Sequence, residues 1–305
     1  RDVAPSRGLG DVYKRQAIAL EFASMWNAAG SKVTLLIRKD RVLSAWDRRA
    51  GTTLTRELKR HGVNIITRAS VTHVDTGANL GATVHYTREG QDGEQSVWGE
   101  IALVAIGRDP ITDPAWGVTI DDHGHVATDA YGRTDKPGVW AVGDVTAGHA
   151  LAHRAFEQGI VIAETIAGLN PKPVDEATVP QIVFSFPEAA SVGLTVEQAQ
   201  AREDLIEIKE TNYPMLANAR MLMSGTAGSL TIVSGCDAAN PDTPRVLGVH
   251  MVSQMASDII AEAEQLVGNH VPLADAARLV HPHPTFSETL GEALLKADGR
   301  PLHTR

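Results

Sequence analysis

The sequence has one cysteine, Cys236, in 305 residues, so no intramolecular disulfide can form. That poverty suits a reducing cytoplasm. No apolar run approaches the ~18 residues a membrane helix needs, and no secretory-signal pattern is visible. Basic residues are outnumbered, 28 Lys and Arg against 37 Asp and Glu, giving a net charge of −9. With no basic stripe, nucleic acid is not an expected partner; the acidic balance favours solubility. Internal repeats and low-complexity tracts are also missing, and no metal-ligand spacing is singled out. What remains, 43% hydrophobic and 21% charged residues, is ordinary for a soluble globular chain. Its length suggests about two domains at ~150 residues each.

Residues 1–16 differ from the rest of the chain: they are basic and show no helical or strand period. Gly10–Gln16 can be encoded by a transposon-end adaptor of the kind used to build sequencing libraries. The expectation is a non-native leader, with the gene truncated upstream of Ala17. From Ala17 the pattern becomes regular. Ile18, Leu20, Phe22, Met25 and Trp26 supply an apolar helix face that stops near Gly30. Lys32–Ile37 reads as a buried parallel strand, Leu54–His61 as a helix, and Val63–Ile66 as a second strand. Alternation within residues 70–98 predicts an antiparallel hairpin, and Ile101–Ile106 a further strand. The succession is that of a doubly wound nucleotide-binding domain without its first strand.

A linker at Pro110 and Pro114 leads to a short strand, Val139–Val142, and a long helix, Leu151–Leu169. Beyond the boundary near Pro173–Pro180, strands are expected at Gln181–Ser185, Ser229–Val233 and Val246–Val252. Helices are expected at Thr195–Ala201, Ser257–Val267 and Leu273–Leu279, an α+β pattern. The fold class is therefore α/β: a partial doubly wound domain, a strand–helix segment between the linker and the boundary, then an α+β domain.

Several constellations carry chemistry. His281-Pro-His-Pro-Thr-Phe-Ser-Glu288 holds two histidines and a carboxylate in a proline-stiffened segment. A bend would bring Glu288 to one nitrogen of His283, leaving the other free to move a proton. A helix cap with two surface histidines is the competing reading. The strand ending at Ile37 is followed by Arg38, Lys39 and Arg41, with no acidic residue at the strand end itself. Such a basic end can pair with a 2′-phosphate, or be a solvated turn. Gly143-Asp144 after an apolar strand can present a carboxylate to a sugar or ribityl hydroxyl, or be a turn. Leu151, Ala152 and His153 open a helix whose free N–H groups can face an electron-rich oxygen, or simply begin it.

Taken together and in order, Ile-Ala-Leu-Glu21, Ala-Ile-Gly107-Arg108, Thr134 through Gly143-Asp144, Leu-Ala-His153-x-Ala-x-Glu157, Phe-Ser-Phe-Pro-Glu188 and the terminal His-Pro-His-Pro motif resemble the flavin disulfide reductases. That family contains dihydrolipoamide dehydrogenase and glutathione reductase, and the terminal motif is most similar to the former. The resemblance implies residues 17–115 as an NAD(P)-binding domain, 116–173 as the carboxyl-terminal part of an FAD-binding domain, and 174–305 as a dimerisation domain. It implies Glu21 near the nicotinamide, Arg38 near the adenosine 2′ position with an NADP lean, and Gly107 and Arg108 along the dinucleotide. Asp144 would take a ribityl hydroxyl of FAD, and the backbone of Leu151, Ala152 and His153 would face the flavin pyrimidine oxygen. His283 and Glu288 would be the acid–base pair of a homodimer, serving the partner's dithiol.

The implied activity is electron transfer between NAD(P)H, FAD and a dithiol or disulfide. Alternatives are an NADPH-dependent reductase of another disulfide or a quinone, and a non-catalytic nucleotide-binding and dimerisation module. This sequence departs from the family at Lys14 and Gln16, where nucleotide glycines are expected, and at Ile111, where the family often has Asn. The family's redox cysteine pair and amino-terminal FAD segment are absent, so the chain as given is expected not to complete a disulfide-exchange cycle.

Overall fold

A computed structural model describes residues 9–76 and 80–304. The rest of the expected leader, residues 1–8, lies outside the described residues. Two compact units partition the chain: residues 9–15 and 106–179 belong to one, and residues 16–105 with 180–304 to the other.

α1 (Leu9–Ala28), which belongs to the larger unit from Gln16 onward, starts well before the expected Ala17. From Gln16 onward it buries Ala17, Leu20 and Ala23, one stripe at helical spacing. No proline interrupts residues 9–28, so a helix anchored by this buried stripe propagates backward at little cost. β1 (Thr34–Leu36) pairs parallel with β2 (Asn64–Ile66), as the apolar runs anticipate. Between them, α2 (Arg48–Arg60) begins earlier than its apolar pattern suggests. The reason is Asp47, whose carboxylate accepts the Ala50 N–H at 2.8 Å and caps the first turn. Lys59 and Arg60 complement the far end of the helix dipole.

β3 (Ala69–Asp75), β4 (Ala82–Arg88) and β5 (Glu94–Gly99) form an antiparallel meander, one strand more than a hairpin. The expected strand at residues 101–106 does not form. Ile101, Leu103, Val104 and Ile106 are exposed, and no strand pairs with them. An apolar run becomes a strand only where neighbours complete its ladder and cover its faces.

The smaller unit also lacks its expected strand at Val139–Val142. Trp140 makes only an isolated bridge to Arg133, and Val142 is exposed. The long helix is present as α3 (Ala152–Ile166).

The remainder of the larger unit is the α+β domain anticipated. Its elements are β6 (Gln181–Val183), β7 (Glu188–Gly193), α4 (Val196–Gln200), β8 (Leu205–Pro214), α5 (Ala219–Ser224), β9 (Ser229–Asp237), β10 (Asn240–Ser253), α6 (Ala256–Gly268), α7 (Leu273–Ala276) and α8 (Glu288–Ala297). The sheet order is β6-β7-β10-β9-β8, antiparallel throughout. β10 sits centrally and is wholly buried from Val246 to Ser253. Tyr213, Leu230, Ile232, Val249 and Met251 of the sheet meet Ile260 and Ala263 of α6 and Leu290 and Leu294 of α8 in one core. Burial, helped by the nearby Glu292 and Glu288 charges, pushes the Tyr213 phenol up to about 12.

Candidate active site

The terminal histidine segment is an ordered loop rooted in the first turn of α8. His283 Nδ1 lies 2.8 Å from Glu288 Oε1, and Glu288 Oε2 accepts the Thr285 N–H at 2.8 Å. One carboxylate therefore closes both the loop and the imidazole contact. Its side chain is 20% exposed while that of His283 is 71% exposed. Burial alone would raise the Glu288 carboxyl, but the Thr285 N–H and the His283 ring outweigh it and hold it below the usual carboxylate range. A carboxylate accepting from Nδ1–H fixes the tautomer that leaves Nε2 as an outward lone pair, the atom that can receive a proton.

The loop is anchored from two sides. Asn218, the cap of α5, accepts the Met221 N–H at 3.0 Å and donates to the Thr285 carbonyl at 3.1 Å. His281, expected at the surface under the capping reading, is instead largely buried and pairs through Nε2 with Glu262 Oε1 at 2.9 Å. That contact raises the His281 pKa against the opposing effect of burial. Both anchors were illegible in sequence: Glu262 is 19 residues away and Asn218 is 67 from Thr285.

In the smaller unit, Gly143 and Asp144 form a single 3-10 turn. Gly143 is buried at φ +78°, a left-handed conformation that favours glycine, and a Cβ there would sit 3.4 Å from that of Ala155. The Gly143 N–H donates to Gln158 at 2.9 Å, and the Gly143 carbonyl accepts the Thr146 hydroxyl at 2.8 Å. Arg154, on the first turn of α3, is 4% exposed and joins Thr146, the Ala147 carbonyl and Glu176. It bolts the 143–149 turn to the start of α3, so Asp144 and the residues Leu151, Ala152 and His153 are held in one frame. Sequence reading passed over Arg154, because an arginine on a helix start looks like a solvated one until its partners are placed.

The other expected residues are more dispersed. In the larger unit, Glu21 Oε1 accepts the Phe184 N–H at 3.0 Å, and Ser24 accepts that of Phe186 at 3.1 Å. The Glu21 carboxylate thus ties α1 to the segment after β6. Arg38 is exposed just beyond β1. Gly107 (φ +130°) and Arg108 are exposed in the smaller unit.

These residues fit a flavin better than a dinucleotide pyrophosphate. Asp144 is exposed on its turn, and Leu151, which opens α3, makes no side-chain cap hydrogen bond, so the helix begins on an apolar residue beside that carboxylate's turn. By contrast, α1 is helical through positions 14–16, where a glycine-rich turn would cradle phosphates. Its backbone N–H groups there are committed within the helix, and no phosphate loop is formed by the described residues.

Residues 17–159 match the family model for pyridine nucleotide-disulphide oxidoreductase, and residues 179–294 match that for the dimerisation domain of the same family. A dihydrolipoyl dehydrogenase of Cupriavidus necator is 37% identical over 291 residues, covering 94% of this chain and 59% of the relative. One from Bacillus subtilis is 35% identical, covering 94% and 60%. Among solved structures, LpdA from Mycobacterium tuberculosis superposes with a TM-score of 0.80 at 28% identity, covering 92% of this chain and 60% of that one. The HOCl-induced flavoprotein disulfide reductase RclA from Escherichia coli gives 0.79 at 26%, covering 91% and 62%. The chain spans about three fifths of the length of the curated relatives it matches. No helix among the described residues is long and apolar enough to cross a membrane.

Proposed function

The chain belongs to the pyridine nucleotide-disulphide oxidoreductases, and from that membership we propose that it carries the proton-handling end of an FAD-dependent, dihydrolipoyl dehydrogenase-like enzyme. The activity is electron exchange between NAD(P)H, FAD and a dithiol or disulfide in the cytoplasm. FAD, when bound, relays the electrons between nicotinamide and thiols. This chain's residues position and protonate. Asp144 and the start of α3 hold the flavin side; His283 accepts a thiol proton at Nε2 during dithiol oxidation and returns it during reduction. Glu288 orients the ring and offsets the imidazolium charge. A homodimer built on residues 180–304 brings His283 to the partner's dithiol. The exposed Arg38 supports NADP over NAD.

The carrying observation is the 2.8 Å contact between His283 and Glu288, with the rest of the ring open to solvent. In a form holding FAD and a redox cysteine pair, His283→Gln should lower dithiol turnover about 10²–10⁴-fold. Transfer from NAD(P)H to ferricyanide should be spared, and equal loss of both activities would sink the assignment. Lipoamide, glutathione-type disulfides and quinones assayed side by side identify the acceptor.

The helical course of α1 through positions 14–16 favours a second reading for the 305-residue chain alone: a module that dimerises without turning over. Having one cysteine, this chain supplies no cysteine pair for thiol exchange. A purified protein that is yellow, with a flavin spectrum that NADPH bleaches, would exclude the non-catalytic reading.

A further inference from the structure

The β3–β5 meander carries a cluster that the redox chemistry does not use. His73 and His85 are direct cross-strand partners, so their rings emerge side by side from one face. They stack with centroids 4.1 Å apart and planes 8° from parallel. Two residues along β3, on the same face, Asp75 Oδ2 lies 3.2 Å from His85 Nε2 and 3.8 Å from His73 Nε2. One ligand atom from each of the three residues falls within a 4.8 Å span.

On the opposite edge of both rings stands Glu94 of β5, 3.8 Å from His73 Nδ1 and 3.5 Å from His85 Nδ1. Glu94 is fixed by the Thr72 hydroxyl at 2.6 Å. Thr72 reaches this face because the β3–β4 register shifts between Val71 and His73, a bulge that turns an out-of-phase residue inward. The two rings thus offer Nδ1 to one carboxylate and Nε2 to another. A carboxylate on the far nitrogen of a ligating imidazole is the usual means of setting its tautomer and raising its basicity.

We propose that His73, Asp75 and His85 form a binding site for one divalent transition-metal ion of the Zn2+ type, with Glu94 orienting both imidazoles. Two imidazole nitrogens and one carboxylate oxygen favour Zn2+, Ni2+ or Cu2+ over Mg2+ or Ca2+, which prefer all-oxygen sites. Zn–N and Zn–O bonds near 2.1 Å place tetrahedral ligands about 3.4 Å apart. Small side-chain rotations therefore close the observed span, and His73 and Asp75, both exposed, can make them around the half-buried His85. Three protein ligands leave a coordination position for water or a small anion.

Titrating the tag-free, chelator-treated protein with ZnCl2 by calorimetry should show one site per chain that MgCl2 does not occupy. His73→Gln or His85→Gln should weaken Zn2+ binding at least tenfold, and Glu94→Gln about 10–100-fold, the range for groups that orient metal ligands. Cys236→Ala should leave it unchanged. Imidazole NMR of the unsubstituted protein serves if a variant folds poorly: Zn2+ at one equivalent should shift the His73 and His85 resonances first. Absence of binding, binding unaltered in the His73→Gln, His85→Gln double variant, or first shifts at other histidines would each overturn the proposal.

Discussion

Gly291 and His281 pack so closely that a Cβ on Gly291 would lie 2.8 Å from Cε1 and 3.1 Å from Cγ of the imidazole. The missing side chain on α8 is what lets the ring lie against the helix while Nε2 reaches Glu262. Since His281 and His283 share one short loop, this contact fixes one end of the segment that carries His283.

Gly291→Ala tests the packing. Helix propensity alone would stabilise the alanine variant by about 1 kcal/mol. The steric clash opposes it, and the ring cannot step aside without losing Glu262. Overpacking of about 1–3 kcal/mol should win. Urea unfolding should show net destabilisation, and NMR should show the His281 ring displaced. An alanine variant more stable than the parent would remove the constraint.

His281 also predicts a pH dependence. Its folded pKa is raised, first by the Glu262 hydrogen bond. Protonation is thus coupled favourably to folding: the contribution is fully present below the unfolded value of about 6.5 and is lost as pH rises through the raised folded value. The difference in Tm between the parent and His281→Gln should be largest near pH 6 and shrink on moving to alkaline pH. A difference that grows with pH would reverse the assignment.

Arg154→Met addresses the smaller unit. The variant removes the bolt between the 143–149 turn and α3. Because Glu176 is 42% exposed and stays solvated, the loss should be about 2–3 kcal/mol, under the ~3–5 expected for a wholly buried pair. Hydrogen exchange should accelerate at Thr146, whose N–H bonds the Gly143 carbonyl at 2.9 Å. Unchanged protection there would mean that the turn holds without the arginine.

Cys236 should be inert. It is fully buried on β9, and burial, with Glu207 nearby, raises its thiol pKa. A thiol reagent such as DTNB should label it only under denaturing conditions, at one equivalent per chain. Rapid native labelling would contradict the packing of β9.

Sequence made some of this legible and hid the rest for physical reasons. α6, β9 and β10 follow from apolar patterns because each packs into one core. His283 and Glu288 were found because five residues of loop suffice to join them. The strand expected at residues 101–106 failed because periodicity reports what could be buried, not whether anything covers it. The Arg154 bolt, the Glu262 anchor and the His73–His85 pair escaped notice because each depends on elements brought together from a distance. For the last of these, strand register and the bulge at Thr72 make the cluster, and a scan for metal spacing along the chain does not see cross-strand register.

The uncovered run at Ile101, Leu103 and Val104 bears on how the protein behaves in a tube. At low ionic strength the net charge of −9 repels other copies over ~30 Å, well beyond the reach of an apolar contact. Near 1 M salt that distance collapses to ~3 Å, and sticky collisions between bare isoleucines and valines are no longer held off. Salt and a pH near the isoelectric point of about 5.7 both remove that protection: the protein should be handled dilute, at low ionic strength and above that pH, and concentrated sulfate should precipitate it early.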